Sequence, residues 1–215
     1  MAEIVDEPEA ARAYRMLSRM IVTLELPPGS ETSEGRLIHL VRMGRTPVRE
    51  AIQRLAWEGL VAVRPRAGLS IAPLAPGDWL RIVEARCALE PVITRSAARF
   101  INGENARNLH AAAMALRKAM IGDNLIAFFA AELDLQQIVA AATDNPFAAR
   151  ANLPLQIHSR RCWFRYQRDI GLAAICNRHL ATIRALLDGD PAGAEQASLK
   201  LLSLLARHAE AALGD

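Results

Sequence analysis

The sequence predicts a mainly α protein in two parts: three short helices and a small hairpin, followed by an all-α helical bundle. Three observations carry this reading. Apolar residues recur at helical spacing in the N-terminal third, and a short β-prone pair follows. Beyond the linker Pro73-Leu74-Ala75-Pro76-Gly77, strand signals give way to Ala- and Leu-rich helical patterns. The domains are accordingly placed at residues 1–75 and 76–215.

From Glu9 to Leu26, Ala13, Leu17, Met20, Ile21 and Leu24 share one side, with Arg12, Arg15 and Arg19 on the other. Pro27, Pro28, Gly29 and Ser30 stop this helix, and a second begins at Ser33 with Leu37, Leu40 and Val41 as its apolar stripe. After Arg42-Met43-Gly44, Thr46 and Pro47 read as N-cap and first residue of a third helix. Val48, Ile52 and Leu55 bury one side of it, Gly59 ends it, and Arg45, Thr46, Arg49 and Gln53 remain on the solvated side. Leu60 to Val63 and Leu69 to Ala72 pair across the turn Arg64 to Gly68. This order describes a winged helix-turn-helix, whose third helix fits the DNA major groove while the hairpin touches the backbone or minor groove.

In the second domain, helices are predicted near Asp78 to Ile101, Glu104 to Ile121, Asn124 to Ala142, Pro146 to Arg165, Leu172 to Leu187 and Pro191 to Leu213. Pro91 falls inside the first and predicts a kink. Met114 reads as a gap-filling core side chain. Arg160, Arg161, Arg165 and Arg168, set around Trp163, Phe164 and Tyr166, read as a solvated basic face beside a core or dimer stripe.

Composition bounds the function. The chain has 215 residues, 52% hydrophobic and 23% charged, which suits a folded protein with a sizeable core. No uncharged apolar run reaches membrane-span length, and the acidic start, Met1 to Glu9, is the wrong charge for a targeting segment, so a cytoplasmic location without membrane is expected. Cys87, Cys162 and Cys176 form no C-x-x-C pair and are read as reduced thiols. Net charge is only +3, but Arg36 to Arg66 holds seven Arg against Glu50 and Glu58. The basic excess therefore sits in one short region, as on a small polyanion-binding surface.

The residues Leu26-Pro27-Pro28-Gly29, Ser33-Glu34, Arg45-Thr46-Pro47-Val48-Arg49-Glu50-Ala51-Ile52, Glu58-Gly59-Leu60-Val61 and Arg64-Pro65-Arg66-Ala67-Gly68 resemble the GntR family of bacterial transcription regulators. Arg86 and Leu89-Glu90-Pro91 resemble the opening helix of the FCD ligand-binding domain found in its FadR-like subfamily. The resemblance implies a homodimer that binds an inverted-repeat operator in double-stranded DNA, with a small metabolite in the helical domain altering its affinity. It also implies that Arg45 and Arg49 read guanine edges, that Thr46 meets a phosphate, and that Arg64 and Arg66 act from a wing whose turn needs Gly68. Two positions depart from the pattern: Arg42 stands where the family usually has Gly, and Gly44 where it has a small hydroxyl residue.

Many FCD domains hold a divalent metal on an Asp and three His. Those positions align with Glu132, Gln136, His179 and Leu201, of which only His179 is a retained ligand. A second metal arrangement, His158 with Cys162 and Cys176 with His179, has suitable zinc donors but on different predicted helices. The pocket is read as metal-free and no cofactor is expected. Arg86 corresponds to an arginine that points into the family's effector cavity, often toward a carboxylate; a structural salt bridge with Glu90 one turn on is the other reading. His179 has two readings as well, ligand hydrogen-bonding or a satisfied core histidine. The ligand-binding set is therefore Arg86, Glu132, Gln136 and His179. The whole reads as a ligand-responsive regulator, not an enzyme. A metal-dependent enzyme on the helical domain and a DNA-binder with a decayed pocket are the alternatives.

Overall fold

The computed structural model describes residues 7–64, 68–166 and 171–213. It comprises two compact units, Met1–Ala75 and Pro76–Asp215. In the first, α1 (Glu9–Val22) buries Ala13, Leu17 and Ile21 against α3 (Arg45–Trp57), which contributes Val48, Ile52 and Leu55. Between them lie β1 (Glu31–Thr32) and α2 (Glu34–Val41). The Ser33 hydroxyl caps α2 by accepting from the Arg36 N–H at 3.2 Å. The chain then forms β2 (Val61–Arg64) and β3 (Gly68–Ile71).

The hairpin is part of a three-stranded antiparallel sheet in the order β1-β3-β2. Strand β1 has no signature of its own in the residue order, because two residues are too few for an alternating pattern. Gly68 stands at φ +88°, and a Cβ there would come within 3.3 Å of the Thr32 carbonyl oxygen, so the register of β3 against β1 favours glycine. A second cross-link ties α1 to α3. The Tyr14 hydroxyl donates to Glu58 at 2.6 Å, Arg54 donates to the other oxygen of Glu58 at 3.1 Å, and the Arg54 guanidinium lies 3.7 Å from the centre of the Tyr14 ring.

One boundary differs from expectation. Helix α3 starts at Arg45, with Gly44 extended as N-cap, so Thr46 and Pro47 are its second and third residues. Proline fits there because no amide in the first turn has an intrahelical acceptor.

The second unit is all α: α4 (Pro76–Phe100), α5 (Gly103–Ile121), α6 (Leu125–Ala142), α7 (Pro146–Tyr166), α8 (Leu172–Leu187) and α9 (Pro191–Ala211). Asn102, Asn124 and Asp190 cap α5, α6 and α9 with their side-chain oxygens. Helix α4 packs against α9, α7 and α6, and α8 closes against α9 and α5. It runs through Pro91 as one helix, with the Thr94 hydroxyl donating to the Glu90 carbonyl at 3.0 Å beside the proline. Helix α6 has the length and hydropathy of a membrane span, 18 residues at mean hydropathy 1.5, yet carries Glu132 and Asp134.

Arg42 ends α2 in the left-handed region, φ +53° and ψ +45°, where a side chain costs about 1–2 kcal/mol relative to glycine. Part of that is offset by the greater freedom of glycine in the unfolded chain. Arg42→Gly is therefore expected to stabilise the protein by about 0.5–1 kcal/mol, read as a higher urea midpoint at unchanged slope; a lower midpoint would contradict this account of the turn.

Candidate functional site

The exposed face of α3 presents Arg45, Thr46, Arg49 and Gln53. Arg45 and Arg49 are one helical turn apart, and their side chains are 77% and 59% exposed. Both approach one carboxylate. Glu34, the first residue of α2, lies with its two oxygens 3.5 Å from Arg45 Nε and 3.2 Å from Arg49 Nε. Exposed pairs of this kind contribute about 0–1 kcal/mol, so Glu34 draws both guanidinium groups to one place and holds neither firmly. Arg64 is exposed at the end of β2 and Gly68 opens β3. Arg66 lies outside the described residues.

The helical unit contains a partly open cavity of about 30 Å³, room for one or two water molecules. Arg86 from α4, Glu132 from α6, Arg160 and Trp163 from α7, His179 from α8 and Leu201 from α9 line it. Arg86 donates from Nε (3.0 Å) and Nη2 (2.8 Å) to Glu90, and from Nη1 to the Ser159 hydroxyl at 2.7 Å. Arg160 donates from Nε to Glu132, and one turn away the Gln156 amide donates to Gln136. Arg160 Nη2 and Trp163 Nε1 are buried, and among the described residues neither has an acceptor.

The chain matches two family models, the gntR family of bacterial regulatory proteins over residues 9–71 and the FCD domain over residues 81–204. The chain belongs to the GntR family. It is 30% identical over 172 residues to the probable D-xylose utilization operon transcriptional repressor of Paenarthrobacter nicotinovorans, covering 80% of this chain and 76% of that protein. With the transcriptional repressor RspR of Escherichia coli it shares 29% identity over 151 residues, covering 66% of this chain and 62% of RspR. A regulator from Agrobacterium vitis is 40% identical over 78 residues, which is 36% of this chain and 46% of that one, so the chain spans about half of that relative. The solved structure of Escherichia coli McbR/YncC superposes with a TM-score of 0.77 at 16% identity, over 93% of this chain and 97% of that one, and shows the same fold. This GntR-family protein is thus a transcriptional regulator with an FCD domain, and the names of its relatives point to regulation and not to an enzyme.

The FCD resemblance implies a divalent metal, and the residues at the aligned positions do not fit one. Glu132 is engaged by a guanidinium, the Gln136 oxygen accepts from Gln156, and Leu201 offers no donor atom. The pairs His158–Cys162 and Cys176–His179 form no ligand set either, since no three His, Cys, Asp or Glu side chains gather among the described residues. Arg86 forms the salt bridge with Glu90 that is one of its two readings, and it also lines the cavity.

Two expectations on the helical unit are corrected. Arg160 and Arg161 are buried, not part of a solvated basic face, whereas Arg165 is exposed, Trp163 is buried as a core stripe would be, and Arg168 lies outside the described residues; for Arg160, Glu132 supplies the countercharge that burial demands. Met114 is 66% exposed and fills no gap. Sequence reasoning also passed over Ser159, Arg160 and Trp163 as cavity residues. The signal available was the recurrence of Gln156, Ser159, Arg160 and Trp163 at helical spacing on one side of α7.

Burial alone would raise the Glu132 carboxyl, but Arg160, His179 and Arg86 together hold it below its ordinary value. Burial also pushes the His179 imidazole down, against the upward pull of Glu132 and Glu90. Both groups bind fewer protons folded than unfolded, so both make stability rise with pH. The His179 contribution is complete above its ordinary value of 6.5 and drains as pH falls below it; that of Glu132 is complete above 4.5 and drains below that. His179→Gln is expected to flatten the loss of unfolding free energy between about pH 7 and pH 5, while Glu132→Gln costs about 3 kcal/mol at neutral pH by stranding Arg160. Urea denaturation at a series of pH values measures both, and parallel wild-type and His179→Gln curves would count against a neutral buried imidazole.

Proposed function

We propose that this regulator works in the cytoplasm as a homodimer on an inverted-repeat operator, and that a small carboxylate metabolite in the helical unit changes its DNA affinity. One observation supports the DNA reading above the rest: Arg45 and Arg49 stand exposed, a turn apart on α3, both approaching Glu34. Each guanidinium can make paired hydrogen bonds to guanine O6 and N7, worth about 1–3 kcal/mol of discrimination per contact. Thr46, on the same face, serves a phosphate, and Arg64 with Arg66 and the Gly68 turn adds backbone attraction from the wing.

Exposed apolar side chains support self-association of the helical unit. Met114 and Ile121 are seven residues apart on one face of α5, and Ile126 opens α6. For the effector, Arg86, Glu132 and His179 line the cavity, Gln136 lies one turn beyond Glu132 on α6, and a ligand acts by binding one arrangement of the dimer better than another. Dimerisation doubles the reading heads to match the two half-sites.

Arg49→Ala is expected to abolish the operator footprint while leaving the dimer intact in size-exclusion chromatography; an unchanged footprint would refute the assignment of α3. Glu34→Gln removes the charge that competes with phosphate, so its affinity for random-sequence DNA should rise about three- to tenfold at low salt, measured by fluorescence anisotropy. A screen of small carboxylic acids for raised Tm and altered operator affinity tests the effector; if none acts, the helical unit serves assembly alone.

A further inference from the structure

All three nitrogens of Arg86 are already engaged, with Glu90 and Ser159, which leaves one further N–H on each of Nη1 and Nη2. Arg160 differs. Its Nε donates to Glu132, yet its Nη2 is buried without an acceptor although the residue is only 8% exposed. Trp163, three residues further along α7 and 4% exposed, likewise keeps its indole N–H buried without an acceptor. The spacing places both on one helix face, and both side chains line the cavity. Buried donors are almost always satisfied in native proteins, so two unmet donors beside one cavity, one of them on a cation, call for an acceptor with negative charge.

We propose that Arg160 and Trp163 together receive the oxyanion of the effector, and that the Arg160 guanidinium, anchored by Glu132, is the resident cation of this site in place of a metal ion. The proposal rests on the reading of the cavity as the effector site. The ligand class is a monocarboxylate. Glu132 already answers the charge of Arg160, so a second or third negative charge would go unbalanced, and the two oxygens of one carboxylate can accept from both unmet donors at once. The geometry also gives Glu132 a role that needs no metal: it fixes the guanidinium and leaves Nη2 for the ligand.

The test uses the full-length dimer, free of chelatable metal, titrated with acetate at constant ionic strength while the indole N–H signals of its three tryptophans are followed by NMR. Trp163→Phe assigns the signal of interest. Trp79, whose indole is also without an acceptor but does not line the cavity, and exposed Trp57 are internal controls. Acetate is expected to shift the Trp163 signal saturably and leave the other two in place, while acetamide and inorganic phosphate leave all three unmoved. Arg160→Lys should weaken acetate about tenfold or more, and added zinc or nickel should change nothing.

Acetate binding that needs zinc or nickel would overturn the guanidinium as resident cation. Acetate that raises Tm yet leaves the Trp163 signal still, or binds the Arg160→Lys protein equally well, overturns the receiver pair and spares the effector cavity. No response up to about 50 mM acetate overturns the pair too, and the effector reading then falls only if the wider acid screen also fails. The wild-type indole and metal arms need no variant to fold.

Discussion

The helical unit is organised by two ion pairs that have no access to bulk water, Arg86 with Glu90 and Arg160 with Glu132. Taking a charge out of water costs several kcal/mol even after relaxation, and only a well-placed counterion with further hydrogen bonds offsets it. Much of the surrounding structure meets that demand. Ser159 supplies a small hydroxyl where Arg86 still has a donor, and Arg86 in turn links α4 to α7. Glu132–Arg160 and Gln136–Gln156 form successive rungs between α6 and α7, since a step of four forward on one helix matches a step of four back on the other. The two helices therefore run antiparallel, with polar rungs where an apolar seam would be simpler. The same surroundings keep His179 neutral. An apolar replacement of such pairs is often as stable, so their presence in a core is better explained by a task than by stability.

The DNA-reading unit places arginine beside glutamate in the opposite regime. Glu34 meets Arg45 and Arg49 at the surface, where the high dielectric reduces a unit-charge attraction at contact to about 1 kcal/mol. That is enough to bias two long side chains toward the same carboxylate and too little to fix them there. Identical residue types thus give a releasable arrangement on α3 and a fixed one between α6 and α7, with burial alone making the difference.

Most of the fold was legible because its signals are local. The apolar spacing of Ala13, Leu17 and Ile21 needs only the neighbouring turns to be read, and the caps Asn124 and Asp190 announce α6 and α9. Misreadings arose where several local answers were equally good. Thr46-Pro47 has the chemistry of a helix start, but an extended Gly44 moves the start back to Arg45. Strand β1 exists only because β3 lies beside it. For the candidate site the gap was wider. Four basic residues among aromatics look solvated in one dimension, and nothing near Arg160 in sequence shows that Glu132, 28 positions earlier, makes its burial tolerable. Arg86 was visible to sequence reasoning because its partner, Glu90, is one turn away on the same helix. Burial partners brought together by tertiary packing are what a single chain hides.

The short pairing of β1 with β3 has a mechanical consequence. Thr32 is followed at once by the cap Ser33 and then by Glu34, so the strand that steadies the wing is the same piece of chain that delivers the carboxylate to α3. Hairpin and α3 are thereby tied to one short piece of chain. Any change that parts β1 from β3 also moves the residue that carries the carboxylate shared by Arg45 and Arg49, so wing register and the charge beside α3 cannot be altered independently.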